Sequence, residues 1–211
     1  MRLFPKTKWG KLGGVFFVGV ILYIFGLPLN GYLRYQPKEG DVIFQSLPTG
    51  ELTEVIEGAT HSPYSHVGML VEKEGKWYVR EAIGTVHDTG LYRWISRGRQ
   101  GSFSVYRLKK KYQKYLKPMI QSSKQFLDRP YDINYEMDDG KIYCSELVYK
   151  SYKLVSGQQM GKLASLKELD WKPYKDFILS IEDTIPLDRV MITPKDLAEA
   201  EQLEQVFSTY K

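Results

Sequence analysis

Cys144 is the sole thiol among 211 residues. The stretch around it, Asp138-Asp-Gly-Lys-Ile-Tyr-Cys144-Ser-Glu-Leu-Val, places it after a turn and on the first turn of a helix. N–H groups in a first helical turn have no carbonyl partner within the helix, and the dipole is positive there, so a thiolate is favoured. The same N–H groups can receive the oxyanion that forms when a thiolate attacks a carbonyl. Such a nucleophile needs a base to carry its proton away. The available bases are His61, His66 and His87. His66 precedes Val67-Gly-Met-Leu-Val and so stands at the entrance of a strand, on rigid backbone. His61 lies in a Thr-His-Ser-Pro-Tyr loop and His87 follows Gly84-Thr-Val, so both read as surface or substrate-side positions. Without such neighbours, a lone cysteine is an ordinary small buried hydrophobe.

The elements that must position these groups can be read from the same stretch. Val67–Glu72 and Trp77–Ile83 are strand candidates on either side of Lys73-Glu-Gly-Lys76, a hairpin signal. If Glu74 and Gly75 form a two-residue turn, Gly68 faces Glu81 and His66 faces Ile83. Side chains alternate with period two, so residues 66, 68, 81 and 83 then share one face. Glu81 becomes the diagonal neighbour of His66, roughly 7–8 Å away between backbones and within side-chain reach. A carboxylate there would fix the imidazole tautomer and stabilise the imidazolium. A four-residue loop keeps this register, whereas a three-residue loop turns Glu81 to the other face. The competing reading of Glu81 is a surface carboxylate paired with Arg80 or Arg93.

Residues 39–211 read as one mixed α+β domain, joined by a linker at 34–38. Asp41–Gln45 and Phe103–Leu108 are further strand candidates. Leu116, Met119, Ile120, Ser123, Phe126 and Leu127 follow a helical period up to Pro130, and Ser145 to Val155 follow another. Thr193-Pro194 reads as N-cap and first helical position, with Asp196 completing a capping box. The 157–186 segment is expected to pack as loops and short helices.

Residues 1–11 form a basic tail with Arg2, Lys6, Lys8 and Lys11 and no acid, which leaves the rest of the chain with 26 basic against 25 acidic residues. The net charge of +5 is therefore mostly a property of the tail, and nucleic-acid binding is not expected. Residues 12–33 carry no charge. About 20 apolar residues cross a hydrocarbon core of about 30 Å, so this run is expected to be a transmembrane anchor, or else a cleaved signal peptide. Positive residues stay on the cytoplasmic side. The tail is thus expected inside, and the domain outside as part of a single-pass membrane protein, secreted if the segment is cleaved. One cysteine excludes a disulfide scaffold and thiolate-rich zinc or iron–sulfur sites. The sequence has neither a His-Glu-x-x-His nor a P-loop pattern. Asp138 and Asp139 read as a solvated turn rather than a calcium site. No metal and no cofactor are expected.

Gly40-Asp-Val-Ile-Phe, His61-Ser-Pro-Tyr-Ser-His66-Val-Gly-Met, Arg80-Glu-Ala-Ile-Gly, Arg129-Pro-Tyr-Asp and Ile142-Tyr-Cys-Ser-Glu-Leu-Val resemble the YiiX/YebB-type proteins. These form a circularly permuted branch of the NlpC/P60 papain-like superfamily, related to lecithin:retinol acyltransferase. The resemblance runs in order from about residue 39 to the region of Pro194. It implies a permuted papain-like fold in which an antiparallel sheet packs on the cysteine-bearing helix and the histidine strand precedes that helix. It also implies a nucleophile at Cys144, a base at His66 and the polar third member at Glu81. Tyr131, His61 and Tyr143 are the expected substrate contacts. The implied activity is hydrolysis of an amide or ester, in a cell-wall peptide or a lipid, through a thioester on Cys144. A lipid acyltransferase using the same thioester and a non-catalytic binding module on the same fold are the alternatives.

Overall fold

The computed structural model describes residues 28–210. The basic tail and most of the expected membrane span, up to residue 27, lie outside the described residues. Among the described residues no helix is long and apolar enough to cross a membrane. Residues 28–34 are helical and lead into the domain through Tyr35, whose hydroxyl donates to Asp41 at 2.6 Å.

The strands and helices in chain order are β1 (Val42–Gln45), α1 (Glu51–Thr60), β2 (His66–Lys73), β3 (Lys76–Ile83), β4 (Thr85–Gly90), α2 (Leu91–Arg97), β5 (Phe103–Leu108), α3 (Leu116–Ser123), α4 (Cys144–Ser156), β6 (Ala164–Ser165), α5 (Lys175–Ile181), β7 (Val190–Met191), α6 (Pro194–Ala198) and β8 (Leu203–Ser208). Six strands form an antiparallel sheet in the order β4-β3-β2-β1-β5-β8, and β6 pairs with β7 separately.

Both faces of the sheet are covered, which explains why β1 and β2 read as continuous apolar runs rather than alternating ones. Val42, Phe44, Val67, Met69 and Val71 pack with Leu147, Val148 and Tyr152 of α4. Residues of opposite parity, Ile43, Leu70 and Val79, pack with Leu91, Trp94 and Ile95 of α2. The β2–β3 hairpin turns at Glu74 (φ 52) and Gly75 (φ 73), both left-handed as a two-residue type I′ turn requires. This sets Gly68 opposite Glu81, the expected register.

Other expectations need adjusting at their ends. The α3 helix stops at Ser123 and continues as a 3₁₀ turn, Lys124–Phe126, well before Pro130. The α4 helix begins at Cys144 itself and ends on Gly157, which takes the left-handed cap at φ 69. Several elements were not foreseen, among them α2 and β7 as well as β4, α1 and β8. The β4 strand, Thr-Val-His-Asp-Thr-Gly, lacks apolar alternation, α1 carries four residues of low helix propensity (Thr53, Val55, Gly58 and Thr60), and β8 is a largely exposed edge strand.

Candidate active site

Cys144 opens α4 because the chain arrives extended at Tyr143 (φ −97, ψ 169), and Glu146 reaches back to accept the Tyr143 N–H at 3.2 Å. Its thiol is free and buried, with 1% exposure. His66 is the first residue of β2, 2% exposed, and Glu81 on β3 is fully buried. The His66 Nε2 to Glu81 Oε2 distance is 2.5 Å. Gly68 makes this diagonal reach possible. A Cβ at that position would sit 2.7 Å from the Arg80 carbonyl oxygen and 2.5 Å from Val79 Cγ1, so the Glu81 side chain lies over bare backbone.

The electrostatics of the three groups interlock. Burial works against a charged His66, but hydrogen bonds to Cys144 and Glu81, and their charges, outweigh it and lift the imidazole to about 9. Nε2 is committed to Glu81, so the thiol contact falls to Nδ1. Burial likewise opposes the Glu81 carboxylate, yet His66 and Arg97 hold it down at about 2. His66 belongs by parity to the face covered by α2, and Cys144 arrives with α4 on the other. They meet because His66 is at the very start of its strand.

The surface alternative for Glu81 does not hold. Its partners are neither Arg80 nor Arg93. Arg80 turns to the opposite face and bonds Asp88 (2.8 and 2.9 Å) and Ser123 (2.8 Å). Instead Glu81 Oε1 accepts from the Thr89 hydroxyl at 2.6 Å, and Oε2 accepts from Trp94 Nε1 at 2.9 Å and from Arg97. None of these three was foreseen. Trp94 and Arg97 lie on a short helix whose sequence carries no chemical motif, and only the fold brings them to the carboxylate.

The expected substrate contacts fare differently. Tyr131 is half-buried, with its hydroxyl 2.9 Å from that of Tyr135. Burial first, and the nearby Tyr135 and Cys144 charges next, push its phenol well up; burial and Cys144 do the same to Tyr135. Both rings pack against the buried cluster that contains Cys144. Tyr135, which sequence reasoning missed, holds a left-handed backbone at φ 57. Tyr143 is corrected: it is fully buried, its hydroxyl accepting the Ile192 N–H at 3.0 Å and donating to Met137 Sδ at 3.1 Å, so it props the helix start instead of facing a ligand. The His61 side chain is 75% exposed at the end of α1, with Nε2 3.5 Å from Asp170 Oδ2. It follows Thr60 at the rim of a cleft and does not join Cys144. His87 lies opposite Glu81 in register, with Nδ1 2.9 Å from the Thr85 carbonyl oxygen.

The cleft spans about 780 Å³ when the solvent at its open mouth is included. Its walls are apolar: Leu52, Val55 and Ile56 from α1, and Phe177, Ile178 and Ile181 from α5, with Tyr135 and Ile192 also lining it. The segment expected as loops and short helices forms one wall. Both residues beside Cys144 fasten this lining, since the Ser145 hydroxyl donates to the Ile192 carbonyl at 2.7 Å while Tyr143 holds the Ile192 N–H. Cys144 itself is not among the residues that line the cleft; it is tied to that lining through the Ile192 backbone. Among the described residues no group of three or more His, Cys, Asp or Glu is placed to hold a metal ion. Both Glu81 oxygens are already taken by protein donors.

Known proteins resemble this chain over nearly all of its described length. The family model of the permuted papain-like amidases, YaeF/YiiX, C92 family, matches residues 36–207. The uncharacterized protein YiiX of Escherichia coli strain K12 is 36% identical over 180 residues, spanning 82% of this chain and 87% of that one. A crystal structure described as the metalloprotein yiiX from Escherichia coli O157:H7 superposes with a TM-score of 0.73 at 34% identity, covering 84% of this chain and all of that one. The expectation of a metal-free site is at odds with that description of the relative. With the cysteine helix and all of the sheet but the last residue of β8 inside the matched region, the chain belongs to the YaeF/YiiX family of permuted papain-like amidase enzymes.

Proposed function

We propose that this protein is a cysteine amidase working through a thioester on Cys144, with His66 as acid–base and Glu81 as the carboxylate that orients it. The observation that carries the reading is the buried His66–Glu81 pair at 2.5 Å, beside the single thiol at a helix start. The Cys144 sulfur attacks the acyl carbon, and the unpaired N–H groups of the first α4 turn hold the oxyanion. As the C–N bond breaks, the His66 imidazolium gives its proton to the leaving nitrogen. His66 then takes a proton from water, which attacks the thioester and releases the acid. Glu81 stays ionised throughout.

The apolar cleft favours a substrate whose acyl portion is a hydrocarbon chain over a cell-wall peptide, which would need polar partners along its length. The near-complete burial of Cys144 favours a second reading, transfer of the acyl group to a lipid amine or alcohol, because water has little access to the thioester. We place the domain outside the cytoplasm, held at the membrane by residues 12–33; protease accessibility in intact cells tests this directly.

The test is turnover of long-chain N-acyl amides and esters by the full chain, beside Cys144→Ser and His66→Ala. Free acid released by the wild type alone supports the amidase. Acyl donor consumed only with an amine acceptor supports transfer, and no thioester in any arm refutes both. The description of the Escherichia coli relative as a metalloprotein makes elemental analysis and chelation a necessary arm. Turnover that survives chelation is the expected result.

A further inference from the structure

Glu81 serves more than the imidazole. Oε2 alone faces three donors: His66 Nε2 at 2.5 Å, Trp94 Nε1 at 2.9 Å and the Arg97 guanidinium. Trp94 and Arg97 are three residues apart on α2, so one face of that helix delivers both. The Trp94 ring also stacks on His66, with centroids 6.0 Å apart and planes at 29°. The Arg97 side chain is 28% exposed, and among the described residues its Nε is buried with no partner. Its ion pair with Glu81 is thus what the structure gives it.

We propose that Arg97 is a positioning residue, a second cation on the Glu81 carboxylate that limits how much of that charge His66 receives and so keeps the imidazolium able to surrender its proton. The inference rests on the reading of Cys144, His66 and Glu81 as the working set. The reason is charge sharing. A carboxylate paired only with His66 would hold the imidazolium so firmly that protonating a leaving group becomes slow. Around the pair are Cys144 from α4, Thr89 and His87 from β4, and Trp94 and Arg97 from α2, with the Tyr131 and Tyr135 phenols next in line beyond Cys144. Arg97 is the one permanent cation among them.

A merely structural salt bridge predicts the opposite sign. If Arg97 only pinned Glu81 in place, losing it would let the carboxylate drift, and the imidazole midpoint would fall. The experiment is a nitrogen-15 NMR titration of the His66 ring in the full-length protein, with Arg97→Gln, Arg97→Lys and Glu81→Gln, and circular dichroism to establish folding. Arg97→Gln is expected to raise the His66 midpoint by about one pH unit, while Glu81→Gln lowers it. Arg97→Lys keeps the charge and is expected to stay within about 0.3 unit of wild type. An unchanged or lowered midpoint in folded Arg97→Gln overturns the proposal. If that variant does not fold, Arg97→Lys decides: a midpoint displaced toward that of Glu81→Gln overturns it. Iodoacetamide alkylation of Cys144 with and without His66→Ala tests the underlying reading separately. Alkylation indifferent to His66, with a midpoint that still responds to Arg97, would remove the amidase and leave the charge sharing. Alkylation that depends on His66, with a midpoint deaf to Arg97, would remove only Arg97.

Discussion

Replacing Glu81 by Gln is the sharpest single perturbation of the site. The His66 imidazolium makes a charge-assisted hydrogen bond to a carboxylate that water does not reach. Such a bond contributes about 1.5–3 kcal/mol, and at about 1.36 kcal/mol per pH unit that is about one to two units. The sign follows from the raised midpoint. The group contributes stability below its unfolded value near 6.5, and that contribution is lost as pH rises through about 9. Without the carboxylate the midpoint is expected between about 7 and 8. At pH 8, roughly nine-tenths of wild-type molecules would carry the imidazolium, against roughly a quarter for a midpoint of 7.5. The assay is the ring titration by NMR, with turnover measured over the same range. The alkaline limb of turnover should move down with the midpoint. Thr89, Trp94 and Arg97 lose a charged acceptor as well, so the midpoint of thermal unfolding should fall, on the order of 10 °C. A Glu81→Gln midpoint still near 9 would refute the reasoning, because it would mean that Cys144 alone holds the imidazolium.

Gly68→Ala is expected to cost about 1–3 kcal/mol by overpacking and to separate His66 from Glu81; a lowered melting temperature together with a lowered His66 midpoint checks it. Ile56→Trp should take from the cleft the room of about two methylenes, about 1.6 kcal/mol or roughly fifteenfold in KM for long-chain substrates, while short-chain turnover is unchanged. Glu146, buried two residues after Cys144, is raised to about 7 by burial despite Lys150. A group raised in the folded state contributes stability at low pH that is lost as pH climbs through its folded value. Stability should therefore decline between about 4.5 and 7, and Glu146→Gln should flatten that decline in urea titrations followed across pH.

Much of the site was legible because it depends on local rules. Cys144 at a helix start is a capping argument, and the Gly68–Glu81 register is a turn argument, since Glu74-Gly75 admits few alternatives. Tyr143 misled because a tyrosine beside a nucleophile looks like a ligand contact in sequence. Only the packing of the 190–192 strand end on α4 reveals that its hydroxyl is already spoken for. Arg97, Trp94 and Tyr135 were invisible for a related reason. Their roles depend on where α2 and the 130–141 loop land, which is set by burial on both faces of the sheet rather than by any spacing along the chain.

The double grip on Ile192 has a consequence for the order in which the molecule becomes competent. Tyr143 and Ser145 both lean on a residue synthesised almost fifty positions later, and β8 closes the sheet beside β5 later still. The Tyr210 hydroxyl accepts the Ser46 N–H at 2.9 Å, fastening the segment after β8 one residue from Gln45, the cross-strand neighbour of His66. A growing chain therefore holds Cys144, His66 and Glu81 in sequence without the braces that set them in space. The site is set in space only when the 190–210 segment has docked, so a truncation before Ile192 is expected to loosen the start of α4.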